Sequence, residues 1–134
     1  MIEVSNKVLC LDFDGTIHAY SQGWKDGSVY DVPVPGAFEA IRTVQQEGWT
    51  VIVLTSREDH EPIRAWFERW NRHYGQVAGF MSYQMAPGMR VQEVWSEQFI
   101  IIPVITNKKV PAQFYIDDRA IRFTNWNDIL RYIC

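Results

Sequence analysis

Hydrophobic positions fall along the chain in short blocks, and the period changes from one block to the next. Residues 7–12, KVLCLD, are an apolar run closed by an acid, the pattern of a buried strand. Residues 17–34, punctuated by Gly23, Gly27 and Pro33, read as a loop with room for a short hairpin. Ala37, Phe38, Ile41 and Val44 then recur at helical spacing, with Pro35 near the start and Gly48 as the stop. WTVIVLTS, β-branched and uncharged, predicts a second buried strand. EPIRAWFERWNRHYG sets Ile63, Trp66, Phe67 and Trp70 against Arg64, Glu68 and Arg72, an amphipathic helix closed by Gly75. Its tryptophans are therefore assigned to the core. Residues 76–98 carry no clear period. FIIIPVIT (99–106) predicts a third strand, which Pro103 confines to an edge or a break. QFYIDD (113–118) predicts a fourth, and WNDILRYI a closing helix.

Strands alternating with helices imply right-handed crossovers and a mostly parallel sheet covered on both faces, an α/β fold in one domain spanning residues 1–134. In such sheets the working residues gather at the carboxyl ends of the strands. Here those ends carry Asp12 and Asp14, then Thr55, then Asp117 and Asp118, all predicted to reach one sheet edge.

Composition narrows the picture. Apolar residues are 47% and aromatics 14% of the chain, enough to bury a core. A formal charge of -3 argues against a general nucleic-acid coat and leaves nucleic acid only as a substrate. No apolar run approaches the ~20 residues of a membrane span, and MIEVSNK lacks a signal-peptide pattern. Cys10 and Cys134 read as reduced thiols, so a cytoplasmic protein, monomeric or weakly dimeric, is expected. His18, His60 and His73 are scattered without the spacing of zinc ligands. A calcium loop fails because Gly23 stands where its bidentate Glu belongs, and no Gly-x-x-x-x-Gly-Lys loop occurs.

Carboxylates crowded at one edge repel one another unless a cation sits between them. A hard divalent ion, most naturally Mg2+, suits oxygen donors and accepts a substrate phosphate as a further ligand. Lys109, eight residues before Asp117, brings a second positive charge to the same edge. Taken singly, each element has an ordinary explanation: an acidic turn, a strand threonine, a solvated lysine, a capped turn. Only their order along the chain is specific.

That order resembles the haloacid dehalogenase superfamily of phosphohydrolases, in its small capless form. LDFDGT (11–16) is similar to the first motif and VIVLTSR (51–57) to the second. Lys109 corresponds to the third and YIDDRA (115–120) to the fourth, so the likeness spans residues 8–119. It implies a three-layer Rossmann-like domain, with only the 17–34 loop at the first cap position and no large cap domain. It implies a Mg2+-dependent phosphatase in which Asp12 attacks phosphorus and forms an aspartyl-phosphate, while Asp14 protonates the leaving oxygen and then activates water. Asp12, the backbone carbonyl of Asp14, and Asp117 would hold the metal, with Asp118 assisting. Thr55 would bond the phosphoryl oxygens and Lys109 would offset their charge, with Lys108 an alternative for that role. Gly15 would let the backbone turn beside the ligand, and Ser56, Arg57 and Arg119 would contribute to substrate binding. Thr16 would either serve the site or bond its own turn.

Arg57 and Arg119 either read a second phosphate or pair with nearby acids. Tyr20, Trp24 and Tyr30 lie in the loop nearest Asp12 and either stack on a base or sugar or pack elsewhere. An open site suits a nucleotide, a nucleic-acid end or another bulky phosphate. Two rivals remain: a receiver-like phospho-acceptor, whose motif order differs, and a non-catalytic module that binds phosphate or metal.

Overall fold

A computed structural model describes residues 7–82 and 100–134. The expectations for residues 83–99, including the start of the FIIIPVIT run and the want of a large cap there, lie outside the described residues. Four strands, β1 (Val8–Asp12), β2 (Thr50–Leu54), β3 (Val104–Thr106) and β4 (Phe114–Ile116), form one sheet in the order β3-β2-β1-β4. Every pairing is parallel. The apolar β1, charged only at its last residue Asp12, and the uncharged β2 take the two central positions, as their apolar runs require. Pro103, lacking an N–H, stands immediately before β3, and β3 is an edge strand.

Alternation along the strands sorts the side chains. Leu9 and Leu11 pair in register with Val51 and Val53 and turn toward the main core. Helices α1 (Ala37–Gln46) and α2 (Glu61–Ser82) supply Phe38, Ile41, Ile63, Trp66 and Phe67 to that same cluster. Phe13, fully buried, meets Trp66 edge-on with centroids 5.2 Å apart and lies 5.8 Å from Phe67. The tryptophan assignment therefore holds for Trp66, and Trp70 packs against the cluster's margin.

Helix α1 ends on Gly48 as its spacing predicts. The Gly48 N–H donates to the Gln45 carbonyl and the Trp49 N–H to Val44, the paired reverse bonds of a Schellman cap. Gly48 holds φ at +92°, a conformation that costs a residue without Cβ little, and the chain leaves it directly into β2. Gly75 does not stop α2, which runs on to Ser82. Glycine inside a helix costs only about 1 kcal/mol against alanine, and the buried stripe before it outweighs that.

Loop 17–34 contains the short hairpin: the Ala19 N–H donates to Val32 and the Val34 N–H to Ile17. The Trp66 indole N–H donates to the Asp31 carbonyl at 2.8 Å and ties this loop to α2. Among the described residues the alternation of strand and helix breaks between β3 and β4, which residues 107–113 link without a helix. The closing helix α3 (Trp126–Ile133) starts at Asn125, whose side chain accepts the Asp128 N–H at 2.9 Å. No helix among the described residues is long and apolar enough to cross a membrane.

Phe67 touches Phe13, Phe38 and Trp66 and is wholly buried. Phe67→Ala should therefore cost about 3–5 kcal/mol, read as a lowered urea midpoint at unchanged slope.

Candidate functional site

Strand register brings the acids together. Asp12 pairs with Leu54, and Leu54 with Thr106, so the residues just beyond, Thr55 and Asn107, leave the sheet at the level of the Asp12 carboxylate. Leu11 pairs with Ile116, which sets Asp117 level with Asp12. Carboxylate oxygens of Asp12, Asp117 and Asp118 lie within 4.8 Å of one another. A cleft of about 520 Å³ opens over them, lined also by Asp14, Thr55, Ser56, Lys109 and Arg119. All the candidates at the strand ends thus face one space, and Gly15 lies against it.

Gly15 has φ +88°, and a Cβ there would run into the Asp118 carboxylate. The first and last acidic turns are thus packed on each other, and a residue with a side chain at position 15 would separate them. The neighbouring Thr16 hydroxyl is buried and makes no hydrogen bond, so it does not brace its own turn.

The acids differ in their surroundings. Burial, followed by the charges of Asp117 and Asp118, pushes the Asp12 carboxyl from 3.8 up to about 7. Asp14 behaves oppositely. Burial alone would raise it, but the hydrogen bonds of His18 and Arg57 outweigh burial and hold it below the usual range. Arg57 grips it with two nitrogens, Nε to Oδ2 at 2.8 Å and Nη2 to Oδ1 at 3.1 Å. Of the two roles expected for Arg57, pairing with a nearby acid is the one observed.

His18 completes the clamp. It is fully buried, and its Nε2 accepts the Asp31 N–H at 3.0 Å. The proton must then be on Nδ1, which donates to Asp14 Oδ1 at 2.8 Å. Sequence reading passed over His18 because it was weighed only as a zinc ligand. Its signal was local: it stands four residues after Asp14, across the tight turn that Gly15 makes.

Thr55 is buried, and its hydroxyl oxygen accepts the Arg57 N–H at 3.1 Å, which leaves the hydroxyl proton available to an oxygen in the cleft. Of the two lysines, Lys109 lines the cleft, with Nζ 4.7 Å from the Tyr115 ring centre. The Lys108 N–H instead braces Thr106 Oγ1 at 3.0 Å. The Arg119 N–H donates to Asp117 Oδ1 at 2.7 Å and so fixes one acid of the pair. Among the described residues, Asp12, Asp117 and Asp118 form the one group of potential metal ligands, without a histidine or cysteine. An all-oxygen set that repels itself, with one member already half protonated near neutrality, fits a hard divalent cation.

Set against known proteins, the chain matches no family model, no curated protein and no solved structure.

The raised Asp12 carboxyl fixes the sign of a pH effect. Between about 4 and about 7 the folded chain holds a proton on Asp12 that the unfolded chain has lost, so in EDTA stability falls as pH rises through this window. Asp14 acts oppositely: its contribution is present above pH 3.8 and lost on acidification below it. Thermal melts should show Asp12→Asn flattening the 4-to-7 decline. Mg2+ should raise the wild-type midpoint more at pH 7.5 than at pH 5. An equal rise at both pH values would count against a metal held on Asp12.

Proposed function

We propose that the protein is a Mg2+-dependent phosphomonoester hydrolase of the haloacid dehalogenase type, working through an aspartyl-phosphate on Asp12. The observation that carries this reading is the convergence of Asp12, Thr55, Lys109, Asp117 and Asp118 on one cleft at the carboxyl ends of parallel strands. The reading takes the chain as a capless, three-layer Rossmann-like domain; the strand order and the short 17–34 loop support it.

Asp12, Asp117 and Asp118 would hold the cation, together with the backbone carbonyl of Asp14. The cation would neutralise the acids and polarise the phosphoryl oxygens. Neutralisation keeps Asp12 ionised at working pH, which a nucleophilic carboxylate requires. The Thr55 hydroxyl and the Lys109 ammonium orient the phosphoryl group and offset its charge. Asp14 delivers a proton to the leaving oxygen and then takes one from water. The clamp suits the second task, because an Asp14 held ionised by His18 and Arg57 is poised as a base. For the first task it must exchange part of that clamp for a proton.

The same clamp favours a second reading, in which Asp14 stays paired and the chain is a phospho-acceptor that does not turn over. Aryl phosphate hydrolysis decides between them. The proposed enzyme releases phosphate only with Mg2+, and Asp12→Asn lowers the rate by about 10³-fold or more. Equal rates in wild type and Asp12→Asn would overturn catalysis at Asp12. An acid-stable label on Asp12 without free phosphate would select the second reading.

A further inference from the structure

Beside the acidic cleft lies a larger one of about 840 Å³, and the two share Asp14, Tyr20 and Ser56. On the hydrolase reading, a group that leaves with the Asp14 proton would have this second space beside it. Its walls come from loop 17–34 and from the residues that follow β2. Trp24 lines it and is 62% exposed. The Arg57 guanidinium lies 5.0 Å from the Trp24 ring, and its Nη1 donates to the Gly27 carbonyl at 2.9 Å. The indole is thus seated on a cation that is itself anchored to Asp14 and to the loop. Asp26, Glu58 and Asp59 also line the cleft. The Asp26 carboxylate accepts the Ser28 N–H and that of Asp59 the Glu61 N–H, which fixes both in the wall of this cleft.

These features select among leaving groups. An indole with one face against Arg57 presents the other to a planar ring. A second cation on the same indole would sit close to Arg57 and be repelled, so the stack suits an uncharged ring better than an ammonium group. Asp26, Glu58 and Asp59 accept hydrogen bonds from hydroxyls and ring amines and repel a further phosphate.

We propose that this second cleft binds the leaving group as an uncharged, ring-bearing alcohol of the nucleoside class, and that its acids exclude substrates with another phosphate. The proposal rests on the phosphomonoesterase reading for its first clause. It narrows the substrate to monophosphates and sets aside nucleic-acid ends and polyphosphates.

Binding of the full-length Asp12→Asn protein, measured by calorimetry with Mg2+, tests it without turnover. Adenosine 5′-monophosphate should bind at least tenfold tighter than glycerol 3-phosphate, which lacks a ring, and tenfold tighter than adenosine 3′,5′-bisphosphate. Adding Trp24→Ala should remove the first preference and Trp24→Phe should keep it. Replacing Asp26, Glu58 and Asp59 with their amides should remove the second. Glycerol 3-phosphate binding as tightly as the nucleotide, a bisphosphate binding as tightly as the monophosphate, or a Trp24→Ala protein with unaltered preference would overturn the proposal. Failure of the hydrolase reading registers separately, as wild-type protein that releases no phosphate from an aryl ester.

Discussion

Parallel pairing in register is the constraint from which the rest of this molecule follows, because it carries Asp12 and Asp117 to the same level of the sheet whether or not their charges agree. Once there they repel, and Asp118, held against Gly15, adds a third charge. Apolar burial of β1 and β2 fixes the strands more firmly than the acids push them apart. Burial first, and this repulsion after it, push the Asp12 carboxyl up to about 7. In the proposed hydrolase, like charge concentrated at a strand end would be relieved by a bound cation.

Asp14 stands two residues from Asp12 and faces the opposite electrostatic situation. The turn that follows β1 carries it toward loop 17–34, where a buried imidazole and a buried guanidinium meet it. The two carboxylates of one short motif are thereby driven apart in acidity, one upward and one downward. In the proposed hydrolase, divergence of this kind would separate the role of nucleophile from that of proton carrier.

Sequence periodicity was enough to read β1, β2 and α1, because each is bounded by unambiguous signals: an acid after an apolar run, a β-branched block, a glycine stop. It also placed the acids at one edge, since strand ends follow from topology alone. What it left open concerned contacts between distant segments. Nothing local could say that Arg57 would choose Asp14, 43 residues away, over a phosphate. The choice between Lys108 and Lys109 likewise turns on which side of the link faces the cleft, and that depends on where residues 107–113 cross. Gly75 misled because the small helical cost of one glycine is outweighed by the buried stripe that precedes it.

The helix-free link between β3 and β4 bears on the order in which the site is built. β4 has three residues, all exposed, and among the described residues it pairs with β1 alone. Segments with few buried contacts open most readily, so β4 is the first strand to leave the sheet in a local fluctuation. When it leaves, Asp117, Asp118 and the adjoining Lys109 leave with it, while Asp12 and Thr55 stay on the central strands. A cation bridging the two halves would act as a clasp on that edge, coupling occupancy to how often amide protons of residues 114–116 reach solvent.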